Sequence, residues 1–248
     1  MISLSQFKVV ESPVEYYVSE DLPPMPVDSV FDVYVNGGYV ATLVMSPYWV
    51  EEATIGFLVG EGMVGLGDIR GITVSRESRV VGVEVSNFKG RRRFFFDDCV
   101  ALAEQASPVK STARVAATTL EDLIGDFESR SSTKPGVQAT GVYDLGRGEA
   151  VIAYDVSRYS SLAKALGYAL KHKFNMGESI LVTTGRASGD LITMTANTGI
   201  PIAITTKNPI YSGYIAAITY KVTLIVTSKS KNGKVNLKPL TYPERLIT

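Results

Sequence analysis

Three loops of this sequence carry residue types that bind phosphate groups. The first, Thr183-Thr184-Gly185-Arg186-Ala187-Ser188-Gly189-Asp190, lies between a predicted buried strand and a predicted helix. It offers hydroxyls, an arginine and glycine amides at the position where open α/β sheets bind anions, because free backbone amides point outward there. A tight turn in which Ser188 caps the helix explains the same residues. Both interpretations stay open at this stage.

The second loop is Tyr154-Asp155-Val156-Ser157-Arg158-Tyr159-Ser160-Ser161, again between a predicted strand and a predicted helix. The Arg158 guanidinium is suited to clamp a phosphate, and the Asp155 carboxylate could orient that guanidinium. The alternative is a helix capped by Ser160 or Ser161 with an Asp–Arg pair on the surface. The residues alone favour the second interpretation.

The third loop is Lys229-Ser230-Lys231-Asn232-Gly233-Lys234. Three lysines among small residues after a strand are suited to hold a phosphate. Asn-Gly between two strand-like runs is also typical of a β-hairpin turn with solvated lysines. We therefore predict a hairpin here, and contact with a ligand is an additional hypothesis.

The composition excludes several classes of site and partner. The 248 residues include 25 basic and 25 acidic ones, so no overall field draws the chain to nucleic acid or to a membrane. One cysteine, Cys99, excludes an internal disulfide and a thiolate zinc cluster, and one histidine, His172, excludes a multi-histidine metal site. We expect His172 to complement a helix dipole at a C-terminal end. Without a signal peptide pattern or a long apolar run, we expect a cytoplasmic protein.

The first half of the chain predicts a β-rich region with one prominent helix. Residues 30–45 alternate around Asn36-Gly37, which indicates a hairpin. Ser46-Pro47 then opens a helix over residues 48–62. Further strands are predicted at residues 71–75, 79–86 and 91–96, followed by a short helix at 98–106.

The second half predicts a sheet that is covered on both faces. After a helix that starts at Thr119, continuously apolar strands at 139–145, 150–156, 179–183, 200–205 and 222–227 are separated by helices at 160–173, 188–198 and 209–219. This alternation indicates a three-layer α/β architecture. We place the domain boundary in the irregular stretch 107–117, with an N-terminal β-rich domain over residues 1–115 and an α/β domain over 116–248.

Taken in order, these segments resemble the formate dehydrogenase accessory protein (FdhD/NarQ) family over about residues 25 to 246. The matching segments are Phe31-Asp32-Val33-Tyr34-Val35-Asn36-Gly37, Ile55-Gly56-Phe57-Leu58-Val59-Gly60-Glu61-Gly62, Tyr143-Asp144-Leu145, Thr184-Gly185-Arg186-Ala187-Ser188 and Pro243-Glu244-Arg245-Leu246. The ordered set is more specific than any one of its motifs.

The resemblance implies an α/β fold (α+β overall) with a cytidine-deaminase-like three-layer core. It also implies a function in molybdenum cofactor maturation. Family members carry sulfur from a cysteine desulfurase to the molybdenum bis-guanine-dinucleotide cofactor, before the cofactor enters formate dehydrogenase. The implied partners are a cysteine desulfurase and formate dehydrogenase or a related molybdoenzyme, and a homodimer is allowed. The residues that would contact the GDP-like part of the cofactor are Arg158, Thr184, Gly185, Arg186, Ser188, Lys229, Lys231, Gly233 and Lys234.

The chain departs from the family pattern where the sulfur chemistry would lie. The family's Cys-x-x-Cys loop corresponds to Val109-Lys110-Ser111-Thr112-Ala113, which has no cysteine, and Cys99 lies about ten residues earlier. Two family histidines correspond to Gln138 and Tyr159. A persulfide needs a thiolate, so no catalytic residue for sulfur transfer is predicted.

Two other functions stay open on the sequence. The first is a catalytically inactive scaffold that binds the cofactor or a partner protein. The second is an enzyme with new chemistry in the same pocket, using Arg158, Arg186, Asp155 and Asp190. Cytidine deamination is disfavoured, because it needs zinc held by histidine and cysteine ligands.

Overall fold

The computed structural model describes residues 7–90, 106–230 and 234–247, and its largest feature is a mixed seven-stranded sheet. In spatial order the strands are β1 (Lys8–Glu11), β10 (Glu149–Asp155), β9 (Gln138–Asp144), β11 (Ser179–Thr183), β12 (Ile202–Thr205), β13 (Thr223–Lys229) and β14 (Val235–Pro239). Strand β9 is antiparallel to both of its neighbours, whereas β11, β12 and β13 are parallel. Consequently β10, β11, β12 and β13 all point the same way and end at one edge.

Helices cover both faces of this sheet, as predicted. Helix α2 (Ala117–Ser131) packs its apolar stripe against one face. Helices α3 (Arg158–Lys171), α4 (Gly189–Asn197) and α5 (Tyr211–Tyr220) cover the other face. Because each of the central strands is buried on both sides, its residues are mostly apolar and do not alternate with exposed polar ones. The structure confirms the α/β class, while the cytidine-deaminase-like identity of the core stays a prediction.

A second, four-stranded sheet is formed by the first half of the chain. Its order is β5 (Gly38–Met45), β4 (Ser29–Val35), β7 (Val80–Val85) and β6 (Ile69–Ser75), with β4 parallel to β7 and the other two pairs antiparallel. The predicted hairpin between β4 and β5 is confirmed. Asn36 and Gly37 have φ values of 49° and 80°, and two successive positive φ angles are what a tight two-residue hairpin turn requires.

Helix α1 (Val50–Gly60) joins this sheet to the helices of the larger sheet. It is shorter than the predicted helix over residues 48–62, because Trp49 adopts a left-handed conformation with φ of 53°. Helix α1 crosses α3 at Gly56 and Gly167, where a Cβ atom on either glycine would lie 1.8 Å from a carbonyl oxygen of the other helix. One continuous core therefore runs from the small sheet through α1 to the large sheet.

Four short strands complete the fold. Strands β2 (Tyr16–Ser19) and β3 (Leu22–Pro26) form a hairpin, and β8 (Val115–Ala116) pairs with β15 (Leu246–Ile247). These elements and β1 were missed by the sequence analysis. Since β1 joins the large sheet, residues before 115 contribute to both sheets, and the domain boundary at 115 stays a prediction.

The strand predicted at residues 91–96 lies outside the described residues, as does nearly all of the helix predicted at 98–106. Within the part of the chain that the structure describes, no helix combines the length and the hydropathy needed to cross a lipid bilayer.

Candidate functional site

The candidate site lies at the edge of the large sheet where its parallel strands end and three helices begin. Strand β10 ends at Asp155, just before α3, and β11 ends at Thr183, before the turn into α4. Strand β12 ends at Thr205, which is paired with Thr183 in the sheet, and α5 follows it. The amino ends of α3, α4 and α5 thus meet at one edge, where helix dipoles favour an anion.

Two of the three predicted loops come together at this edge. A Cβ atom built on Gly185 would lie 2.9 Å from Cβ and 3.4 Å from Cδ of Arg158. The absence of a side chain at Gly185 therefore lets the turn after β11 approach the Arg158 side chain. Arg158 is half-buried, whereas Arg186 in the same turn is exposed.

Hydroxyl groups hold the Gly185 turn in place. The Gly185 N–H donates to Oγ1 of Thr183 (3.0 Å), and Oγ1 of Thr205 donates to the Gly185 carbonyl (2.8 Å). Oγ1 of Thr184 donates to Oε1 of Gln138 (3.1 Å), at the start of β9. Gln138, which by the family resemblance corresponds to a histidine, therefore supports the turn, and the Thr184 hydroxyl is engaged within the protein.

The cap of α3 differs from the prediction. Ser157 caps the helix, because its side chain accepts from the backbone N–H groups of Tyr159 (3.2 Å) and Ser160 (3.5 Å), and neither Ser160 nor Ser161 has that role. The helix therefore starts at Arg158 and not at residue 160. A cation in the first turn of a helix opposes the helix dipole, so Arg158 is not placed there to stabilise α3.

The cap of α4 also differs from the prediction. Ser188 occupies the cap position and is buried, but its side chain makes no capping hydrogen bond. The hydroxyl of Ser212, from the first turn of α5, accepts the Gly189 N–H instead (3.2 Å). The predicted interpretation of Ser188 as the capping side chain is therefore wrong. Asp190, in the first turn of α4, is buried at the same edge.

Asp155 does not form a surface pair with Arg158, as one interpretation of the sequence suggested. Its carboxylate is fully buried and forms an ion pair with Nζ of Lys164, which is fully buried as well. Burial raises the pKa of Asp155 and lowers the pKa of Lys164, and the attraction between the two charges opposes both shifts. Asp155 is accordingly a group of the protein interior, and sequence reasoning missed Lys164 altogether.

The β-hairpin expected around the third loop is formed by β13 and β14, but Lys229 and Lys234 lie against other parts of the fold. Strands β13 and β14 pair up to Lys229 and Val235. Nζ of Lys229 lies 2.7 Å from a carboxylate oxygen of Glu128 in α2, on the sheet face opposite α3 and α4. Lys234 lines a cavity of about 330 Å³ between β14 and the start of α2. The structure therefore does not bring Lys229 or Lys234 together with Arg158. Lys231 and Gly233 lie outside the described residues.

The segment that corresponds to the family's cysteine loop lies at the other end of β11. The Ser111 hydroxyl donates to the carbonyl of Gly177, just before β11 begins, and Arg245 donates to the Ser111 carbonyl (3.1 Å). The Val109 N–H donates to the carbonyl of Tyr220 (2.8 Å), before β13 begins. Residues 109–113 are thus fixed at the amino ends of the parallel strands, away from the Gly185 turn.

The remaining residues that the sequence singled out either make contacts within the protein or lie outside the described residues. His172 is the C-terminal cap of α3, as predicted, and its ring stacks on Tyr168 at 4.0 Å. The Tyr159 hydroxyl donates to Oε1 of the buried Glu61 (2.7 Å). Cys99 is not among the described residues, and those residues contain no group of three or more histidine, cysteine or acidic side chains that could hold a metal ion.

Comparisons with known proteins show the family to which the chain belongs. The chain is 28% identical to the sulfur carrier protein FdhD of Methanothermobacter thermautotrophicus over 225 residues, which cover 87% of this chain and 88% of that protein. It is 24% identical to the sulfur carrier protein FdhD of Bacillus subtilis, over 86% of this chain and 87% of that protein. A crystal structure of a putative formate dehydrogenase accessory protein from Desulfotalea psychrophila has the same fold, with a TM-score of 0.72 at 20% identity, over 95% of this chain and 98% of that one. Residues 26–246 match the FdhD/NarQ family, and the chain therefore belongs to that family.

Proposed function

We propose that this protein is an accessory protein of formate dehydrogenase or a related molybdoenzyme, and that it binds the guanine nucleotide part of the molybdenum bis-guanine-dinucleotide cofactor. The site is the sheet edge formed by Arg158, the turn from Thr184 to Ser188 and the amino ends of α3 and α4. The observation that carries the proposal is the position of Arg158, in the first turn of α3 and against Gly185.

The chemistry of this edge suits a diphosphate. The amino ends of α3 and α4 contribute partial positive charge and backbone N–H groups, and Arg158 and Arg186 add two guanidinium groups. The hydroxyls of Thr184 and Thr205 hold the turn in place, so under this proposal Thr184 contributes to binding through its backbone.

The proposal rests on cofactor binding and not on sulfur transfer. The chain has one cysteine, and no cysteine stands in the segment that matches the family's Cys-x-x-Cys loop. A cysteine desulfurase as partner and a homodimer stay predictions from the family resemblance, and a cytoplasmic place of action stays a prediction from the sequence pattern.

Calorimetry with GDP tests the proposal, with GDP taken as a fragment of the cofactor. A charge-assisted hydrogen bond contributes about 1.5–3 kcal/mol, so Arg186→Ala is expected to weaken GDP binding roughly ten- to a hundredfold. Arg186 is exposed, so the fold should be unchanged. Arg76→Ala, an exposed arginine in the turn between β6 and β7, is the control and should bind GDP like the wild type.

Absence of GDP binding by the wild type would refute the assignment of this site and leave the scaffold function as the better explanation. Equal affinities of wild type and Arg186→Ala would remove Arg186 from the site.

A further inference from the structure

A buried polar cluster lies directly behind the Arg158 turn, and it consists of Ser46, Asp155 and Lys164. All three residues are fully buried. Nζ of Lys164 pairs with the Asp155 carboxylate and donates to the carbonyl (3.0 Å) and the hydroxyl (2.6 Å) of Ser46. The N–H of Ser46 and its hydroxyl also donate to Oδ2 of Asp155, each at 3.1 Å. The charges are thus paired with each other and with the same serine.

The cluster joins three parts of the fold that meet at the candidate site. Ser46 directly follows β5, the edge strand of the four-stranded sheet, and Asp155 is the last residue of β10. Lys164 lies within α3, and Asp155 also accepts the N–H of Ser157, the residue that caps α3 (3.3 Å). The ion pair therefore fixes the short segment between β10 and α3, and this segment presents Arg158.

A second contact supports the same connection. The hydroxyl of Ser160, in the first turn of α3, donates to the carbonyl of Val44 in β5 (2.8 Å). The end of β5 is thus bonded to the start of α3 through two independent sets of hydrogen bonds. Any shift of the four-stranded sheet relative to α3 would have to break one of them.

Stability alone does not explain a buried ion pair, because well-packed apolar residues of similar size are often as stabilising or more so. The pair instead fixes the direction in which the chain runs from β10 into α3, since both charges must keep their hydrogen-bonding partners. We propose that Lys164 and Ser46 are positioning residues that act through Asp155 to hold Arg158 against the Gly185 turn. This inference rests on the proposed function, because it concerns how Arg158 is held for the nucleotide.

The first test compares GDP affinities by calorimetry. Lys164→Met leaves a buried carboxylate without its cation and is expected to weaken GDP binding more than about tenfold. Since that variant could fail to fold, Ser46→Ala is the second variant, and it removes one hydroxyl while the ion pair remains. We expect Ser46→Ala to weaken GDP binding about three- to tenfold, which corresponds to a fraction of one charge-assisted hydrogen bond.

The matched control is Lys171→Met. Lys171 lies on the same helix as Lys164 and, like Lys164, forms an ion pair. Its partner is Glu52 of α1 (2.8 Å), and Lys171 is partly exposed at the far end of α3. GDP affinity in this variant should stay within about twofold of the wild type, because exposed pairs contribute little. A folded Ser46→Ala protein that binds GDP as tightly as the wild type would overturn the proposal, even if its stability were lower.

The second test does not require a ligand. Hydrogen exchange at the amides of Ser46 and Ser157, which both donate to Asp155, should become faster in Ser46→Ala, while exchange in the middle of α4 should be unchanged. If wild type does not bind GDP, the proposed function fails, and this exchange measurement alone decides on the positioning role. Unchanged exchange at both amides would overturn it.

Discussion

Replacement of Gly56 by alanine is the perturbation for which the structure gives the clearest expectation. Gly56 lies in the middle of α1, where it contacts α3. A Cβ atom at this position would lie 1.8 Å from the Ala163 carbonyl oxygen and 2.8 Å from the Gly167 backbone nitrogen. Both atoms belong to the α3 backbone, so no side-chain rotation can relieve the clash. The two helices would have to move apart.

Two effects of opposite sign determine how much Gly56→Ala changes the free energy of unfolding. Alanine is favoured over glycine inside a helix by about 1 kcal/mol. Carbon and oxygen atoms approach no closer than about 3.3 Å, so α1 must move by about 1.5 Å and lose packing along α3. Overpacking of this kind costs about 1–3 kcal/mol and sometimes more. Because the contact is with rigid backbone, we expect a net loss of about 2 kcal/mol in the free energy of unfolding, or about 4–8 °C in Tm.

Urea denaturation followed by circular dichroism measures this effect, and Gly125→Ala is the matched control. Gly125 lies within α2 and is exposed, and a Cβ atom added there would meet no neighbouring atom within 4 Å. Helix propensity alone then acts, and the control should be more stable than wild type by about 1 kcal/mol. If Gly56→Ala were as stable as the wild type, the close approach of α1 to α3 would be wrong.

Two further predictions concern the site and the cysteine. A Cβ atom on Gly213 would lie 2.2 Å from the Ala187 carbonyl oxygen, so Gly213→Ala should displace the turn from Thr184 to Ser188. Calorimetry should then show GDP binding weakened by about tenfold or more, which corresponds to about 1.4 kcal/mol. A Gly213→Ala protein with wild-type GDP affinity would contradict the role of this turn. Cys99→Ala should leave GDP affinity unchanged, and incubation of the wild type with a cysteine desulfurase should load no cyanolysable sulfur, because the single cysteine stands outside the segment that resembles the family's Cys-x-x-Cys loop. Cyanolysable sulfur on Cys99 would refute that expectation.

Features with a local cause could be predicted from the sequence. The hairpin at Asn36-Gly37 needs two residues that tolerate positive φ, and this pair supplies them. Strands β9 to β13 are recognisable because burial on both faces makes most of their residues apolar. Arg158 and Gly185 could be predicted to share one edge, since both follow strands that point the same way.

Features with a distant cause could not be predicted. The N–H of Gly189 is capped by Ser212, 23 residues later, and nothing near Ser188 indicates this. Several serines surround Arg158, and propensity does not distinguish Ser157 from Ser160 as the cap. Lys164 lies in a helix that is buried between the sheet and α1, so its charge needs a partner. That Ser46, 118 residues away, accepts a hydrogen bond from Lys164 follows only from the fold.

Ser111 lies far from the candidate site in the fold, although its place along the chain resembles that of the family's cysteine loop. By the family resemblance Ser111 is expected to correspond to the cysteine loop, yet its hydroxyl contacts Gly177 before β11, while Gly185 follows the end of β11. The five residues of β11 extend over about 13 Å at about 3.3 Å per residue. A thiol at position 111 would therefore lie at the wrong end of the strand to reach a ligand held by Arg158 and Gly185. The segment around Ser111 and the Arg158 edge are thus at opposite ends of the strand, and the proposed nucleotide binding at that edge would not depend on the residues that stand in place of the family's cysteines.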